Sequence, residues 1–153
     1  MAEAEDDDLT DAVASLNPAG VSVALKKGAD PNAKLGEARV LHFAALSGSL
    51  GNVDLLLKAG ADVNGRGDCA DTPLHFACAG LDPNSVAIIR RLIEAGADIN
   101  APGINGRLPL DFAARKRNKA AALIIAEAGG TCASENLSWV EQVTKKKGRS
   151  RGR

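Results

Sequence analysis

Apolar residues recur along this chain at spacings of three and four, in short runs broken by Gly, Pro, Asn and Asp. Leu9, Ala12, Val13 and Leu16, then Val21, Ala24 and Leu25, predict two short helices punctuated by Asn17-Pro18-Ala19-Gly20. Leu50, Val53, Leu56 and Leu57 give one buried helical stripe, and Val86, Ile89, Leu92 and Ile93 give another. The run KAAALIIAE from Lys119 to Glu127 is a further helix. All but the first of these helices are followed by a glycine, and Gly28, Gly60, Gly96 and Gly129 stand 32, 36 and 33 residues apart. A left-handed residue is needed to close a helix there, and glycine adopts that conformation without a steric cost.

The same period governs what surrounds the glycines. Gly28-Ala29-Asp30-Pro31-Asn32, Gly60-Ala61-Asp62-Val63-Asn64 and Gly96-Ala97-Asp98-Ile99-Asn100 share one pattern, with Gly129-Gly130-Thr131-Cys132-Ala133 a decayed fourth copy. A second signpost runs Val40-Leu41-His42-Phe43-Ala44-Ala45, Pro73-Leu74-His75-Phe76-Ala77-Cys78 and Pro109-Leu110-Asp111-Phe112-Ala113-Ala114. In the central copy Thr72 is the expected N-cap, Pro73 sits where a missing N–H costs nothing, and Leu74 turns inward. Arg39 stands where that Thr would be, so the second unit's first helix is expected to start less sharply. The stretch from Thr72 to Asn100 is three residues longer than its neighbours, and the extra residues fall at about 80–83, with Asp82-Pro83 as a new helix start.

Two motifs at a period near 33 residues, with Thr-Pro-Leu-His opening a unit, resemble the ankyrin repeat family over residues 9 to 130. The resemblance implies an all-α solenoid of helix-turn-helix repeats with β-turn loops, in units of about 9–32, 33–64, 65–100 and 101–130. The end units are expected to be capping units with a wet outer face, as Asp111 for His and Lys119 for Leu suggest. Residues 131–144 form an extension in which Ser138-Trp139-Val140-Glu141 has the form of a capping box, with Leu137, Trp139 and Val140 able to fold a turn or two onto the last unit.

Composition changes this picture mainly at the ends. With no Tyr, one Trp and three Phe, the core must be built from Ala, Leu, Val and Ile. Net charge is zero, but residues 1–98 carry 15 acidic against 8 basic side chains while residues 115–153 carry 10 basic against 3 acidic. Residues 1–8 are too acidic to bury surface and are expected to be a disordered arm. Residues 145–153, with Lys145, Lys146, Lys147, Arg149, Arg151 and Arg153, are expected to be a disordered basic tail. No apolar run approaches the ~20 residues that span a bilayer, and the acidic start is unlike a secretory or mitochondrial signal. A cytoplasmic or nuclear monomer with no membrane contact is the expectation.

Little in the chain points to chemistry. Cys69, Cys78 and Cys132 have no paired spacing and read as reduced thiols, with Cys78 a small buried hydrophobe and Cys69 near a loop tip. His42 and His75 share one repeat position and read as structural, with no metal-ligand spacing around them. Gly65-Arg66-Gly67-Asp68-Cys69-Ala70 matches a loose dinucleotide pattern but lies between repeats and not between a strand and a helix. Arg66-Gly67-Asp68 and the sequon Asn136-Leu137-Ser138 would matter only outside the cell. No catalytic constellation and no cofactor are expected.

What remains is binding. In proteins of the family this chain resembles, loop tips and the exposed side of each first helix contact a protein partner. The corresponding positions here are Lys34, Leu35, Gly36 and Glu37; Arg66, Asp68, Cys69 and Asp71; Pro102, Ile104, Asn105 and Arg107; and Leu46, Ser47, Ala79, Arg115 and Lys116. Arg66 and Arg107 are the expected anchors, because a guanidinium binds carboxylates in two-point geometry. The alternative is a nucleic-acid-associated or nuclear protein in which Arg115, Lys116, Arg117 and Lys119 join the basic tail on phosphates.

Overall fold

The computed structural model describes residues 2–150, with side-chain surroundings defined for residues 3–145. Four helical hairpins stack in order: α1 (Ala2–Ala14) with α2 (Pro18–Lys27), α3 (Val40–Leu46) with α4 (Leu50–Lys58), α5 (Pro73–Ala79) with α6 (Ser85–Glu94), and α7 (Pro109–Arg115) with α8 (Lys119–Glu127). First helices pack on first helices and second helices on second helices, which gives two layers and an all-α solenoid. A final helix, α9 (Ser134–Ser150), lies against α7 and α8. Among the described residues the one sheet is a hairpin of β1 (Lys34–Leu35) and β2 (Ala38–Arg39), paired antiparallel with Lys34 opposite Arg39.

The core runs between the layers. Leu9, Leu41, Leu74 and Leu110 come from the first helices and Val21, Val53, Leu56, Ile89, Leu92 and Ile125 from the second, all essentially without solvent exposure. Ala44, Ala45, Ala77, Cys78, Ala113 and Ala114 are buried at the contacts between successive first helices, where small side chains let backbones approach. Three buried positions of α4 and α6 lie outside the apolar stripes read from the sequence: Ile88 and the polar Asn52 and Ser85.

Each second helix ends in the same way. The glycines at 28, 60, 96 and 129 have φ between 93° and 107°. The amides after them reach back, as Ala61 N–H does to the Leu56 carbonyl (2.9 Å) and Ala97 N–H to Leu92 (2.9 Å), satisfying carbonyls that a helix end would leave bare. Asp62 and Asp98 then accept the amides of Asn64 and Asn100 (3.0 Å each).

Several expectations need correcting. Residues 2–8 are helical, because α1 uses them: the Asp6 carboxylate accepts the Asp30 amide (2.7 Å) and Asp8 pairs with Lys27 (3.3 Å). Asp6 thus does for the first unit what an asparagine does for later ones. Asn32 accepts the Asp62 amide (2.8 Å), Asn64 that of Asp98 (2.7 Å) and Asn100 that of Thr131 (2.9 Å). The C-terminal outer face is covered by α9, and Asp111 is only 2% exposed. That helix starts at Ser134, so Ser138 lies inside it and does not cap it. It also carries residues 145–150 as helix; the side chains of Lys146, Lys147 and Arg149, and residues 151–153 with Arg151 and Arg153, lie outside the described part.

The inserted residues also act differently from expectation. α6 begins at Ser85, and Asp82-Pro83 form a turn ahead of it in which Asp82 accepts the Asn84 amide (2.8 Å). α3 begins at the residue equivalent to the start of α5 although it lacks the Thr cap, because the Arg39 amide is taken up by His42 Nδ1 (3.3 Å) and the Val40 amide by the Ala33 carbonyl (3.0 Å).

Candidate partner-binding surface

The loop edge is built by buried groups that face from one unit to the next. His75 Nδ1 receives the Thr72 backbone N–H (3.1 Å), so that nitrogen is the acceptor and the ring proton sits on Nε2, which donates to the Arg107 carbonyl (3.0 Å). The Thr72 hydroxyl donates to the same Nδ1 (2.9 Å). His42 repeats the arrangement one unit earlier, accepting at Nδ1 and donating from Nε2 to the Asp71 carbonyl (2.9 Å). Burial lowers the pKa of both imidazoles and keeps them neutral, although the carbonyl bonds act in the opposite direction. Each imidazole also meets the next unit's phenylalanine edge to face, His42 with Phe76 and His75 with Phe112, at 5.1 Å between centroids.

These contacts decide which loop residues are left over. Asp71 is not: it is 6% exposed, its Oδ1 accepts the Ile104 amide (2.9 Å), and a side chain on Gly103 would collide with it. It was expected on the binding surface and is instead a tie between loops. Arg66 is exposed, but Nη1 donates to the carbonyls of both Ala70 and Pro102, so its guanidinium already bridges two units. Asp68 pairs with Lys34 (2.8 Å) while its amide donates to the Glu37 carbonyl (2.7 Å), which joins the β1–β2 hairpin to the next loop. Both charges are exposed, so this pair adds little to stability. Arg39 reinforces the junction, with Nε on the Arg66 carbonyl (3.1 Å).

Among the described residues, those of the predicted surface with no side-chain hydrogen bond or ion pair include Glu37, Ile104, Asn105, Arg107, Arg115 and Lys116. Ile104 is 43% exposed in a short 3-10 turn, Ile104–Gly106, and Asn105 holds a left-handed conformation (φ 55°) there. Arg107 is half-buried, fixed by its carbonyl, which also accepts the Gly103 amide (2.8 Å). Its guanidinium has no ion pair among the described residues. Arg115 and Lys116, at the exposed end of α7, line a shallow depression with Ala79 and Phe112.

Sequence reading missed one component of this surface. Phe43, Phe76 and Phe112 are equivalent, half-buried residues of α3, α5 and α7, and the first two rings lie 6.5 Å apart. Their shared place in the repeated signpost was the available signal. They give the first-helix layer an apolar band beside exposed Leu46.

Among the described residues no group of three or more His, Cys, Asp or Glu is placed to hold a metal ion, and no helix is long and apolar enough to cross a membrane. Burial pushes the Cys78 thiol well up, and burial with the nearby Asp111 raises that of Cys132, so neither is an activated nucleophile.

Comparison with known proteins agrees with this architecture. Over 39 residues the chain is 54% identical to protein phosphatase 1 regulatory subunit 27 of Homo sapiens, a span that is 26% of this chain and 25% of that one. The Mus musculus protein of the same name matches over the same length. The probable E3 ubiquitin-protein ligase XBOS33 of Oryza sativa subsp. japonica is 58% identical over 38 residues, 25% of this chain and 7% of the relative. The matched stretch therefore spans at most about a quarter of the length of these relatives. A family model, ankyrin repeats (3 copies), matches residues 41–136, well over half of the chain. Repeats of that kind are in general protein-interaction modules. A stack of helical hairpins, buried histidines tied to the next unit and a family match over most of the repeats together place this chain in the ankyrin repeat family.

Proposed function

We propose that the chain is a non-catalytic interaction module that holds a protein partner on the loop edge and the first-helix face, with Ile104, Asn105 and Arg107 at the centre and Glu37, Arg115 and Lys116 around it. The observation that carries the reading is the division of labour in the loops. His75, Asp71 and Arg66 hold the backbone of residues 102–107 from behind, while the Arg107 guanidinium and the Ile104 side chain are left without structural duties. A side chain presented on a fixed backbone loses little entropy on binding. The similarity to a phosphatase regulatory subunit, short as it is, fits a regulatory or adaptor role without catalysis.

The test is an Ile104→Ala, Arg107→Ala double variant in affinity capture followed by titration of the captured protein. Arg66 is left intact because its removal would free two loops from each other. Loss of an anchoring arginine costs about 2 kcal/mol, roughly a thirtyfold weakening. A variant that melts like the parent and binds the same partner equally well would refute the proposed surface.

A further inference from the structure

The opposite edge of the stack, where the first and second helix of each unit join, carries a second feature that the loop surface does not use. The inserted residues after α5 fold back on the preceding unit. A side chain at Gly48 would fall 2.3 Å from Asp82 Cγ, so the insertion occupies the space that the glycine leaves open. Asn84 Nδ2 donates to the Gly48 carbonyl (3.2 Å), and the Ser85 amide to the Asp82 carbonyl (2.9 Å). This fixed loop nevertheless holds Leu81 at 73% exposure, the most exposed large apolar side chain among the described residues, with Pro83 exposed beside it. Leu81 is not a lone exposed leucine, since with Pro83 and Val86 it forms one apolar wall of a cleft.

Facing it is the turn between α7 and α8. Asn118 Nδ2 donates to the Gly80 carbonyl (2.8 Å), which docks that turn onto the base of the insertion. The space between is an open cleft of about 370 Å³ lined by Leu81, Pro83, Val86 and Ala120 on the apolar side and by Arg117 and Lys119 on the charged side. Asp82 also lines it, with Oδ1 already engaged by the Asn84 amide. Arg117 sits at a left-handed position (φ 54°), the one filled by Gly48 in the second unit, and its guanidinium lies 5.3 Å from the centre of the Trp139 ring. An arginine kept where glycine is easier, and braced on an aromatic ring, is held in place. Neither Arg117 nor Lys119 is ion-paired among the described residues, so both charges are free to face a ligand in the cleft.

We infer that this cleft is a second docking site, for an acidic segment of a partner protein that carries a bulky aliphatic side chain. The cations select carboxylates, and Leu81, Pro83 and Val86 cover the apolar group. Nucleic acid fits less well: the lining has no aromatic side chain on which a base would stack.

The test uses the full chain and fluorescently labelled peptides of Glu and Ser with one central Leu, read by anisotropy at several salt concentrations. The Glu/Leu peptide binds, with affinity falling as salt rises. Replacing its Leu by Ser, or making Leu81→Ser in the protein, weakens binding about tenfold, as expected for one apolar side chain. Lys119→Glu weakens it further and flattens the salt dependence. Both positions are exposed, so thermal melts of the variants match the parent. The Ile104→Ala, Arg107→Ala variant binds the peptide unchanged, which separates this site from the loop surface. Equal binding of a Lys/Leu peptide, indifference to Leu81→Ser and Lys119→Glu, or displacement by single-stranded DNA with no dependence on Leu81 would each overturn the inference.

Discussion

His75 and Asp111 occupy the same place in successive units and meet the same demand with opposite chemistry. Each takes up the amide three residues before it, from Thr72 (3.1 Å) and from Leu108 (2.9 Å). Beyond that they differ, because the layers they face differ. The unit after His75 offers the Arg107 carbonyl, so the ring must donate; the segment after Asp111 offers the Ala133 amide (2.8 Å) and the Asn136 carboxamide N–H (2.7 Å), so the side chain must accept. The end of the solenoid is thus not a repeat that has lost its histidine. It is a unit whose polar residue was matched to α9, and that is why a residue that looks wet in the sequence is buried.

Exchanging the two chemistries breaks the comparison most severely. His75→Asp should put a buried carboxylate against the Arg107 carbonyl and cost about 3–5 kcal/mol in urea unfolding. A cost below ~1 kcal/mol would mean the histidine bond does not join the units. Leu74→Ala, which empties a fully buried site beside it, should cost about 3 kcal/mol and lower the midpoint of a single transition. An unchanged midpoint would remove Leu74 from the core.

Asp111→Ala strands two amides and the Asn136 side chain, for about 2 kcal/mol, and should loosen α9 first. Trp139 emission shifting before the far-ultraviolet signal would show that order; simultaneous loss would argue that α9 is no separate cap. The histidines add a pH dependence. Both imidazoles are neutral when folded, with pKa values lowered by burial, whereas in the unfolded chain they protonate near 6.5. Stability is therefore fully present above that value and is lost as pH falls below it, with a slope of at most about 1.4 kcal/mol per pH unit for each ring. Urea melts at pH 7.5, 6.5 and 5.5 that superimpose would contradict the neutral, buried assignment. Smallest is Arg117→Gly: relief of the left-handed backbone and loss of the Trp139 contact are each about 1 kcal/mol or less and oppose one another, so the melt should hardly move while Trp139 emission changes.

The solenoid was legible because its signals are local and repeat. The glycine closures, the Thr72-Pro73 start and the three-to-four spacing of Val53, Leu56, Ile89 and Leu92 each depend on residues within one turn of helix, and the period multiplies them. The binding surface was only partly legible. Asp71 and Arg66 read as free loop side chains because their partners, at Ile104 and Pro102, lie 33 and 36 residues away, one unit further on. Asp6 was hidden for the same reason: an acidic run looks solvated until the Asp30 amide, 24 residues later, is brought to it. Only a turn or two of α9 was legible, because its basic half predicts solvation, while its anchorage comes from Val140, Trp139 and Asn136 in its first half.

Hydrogen–deuterium exchange of the captured complex tests the central claim most directly, since it reads every amide of the stack at once. Bound partner should slow exchange in residues 102–107, in the 34–39 hairpin and along α5 and α7, and leave α2 and α4 as they are in the free chain. Protection confined to the second-helix layer, with residues 102–107 exchanging as before, would contradict the account.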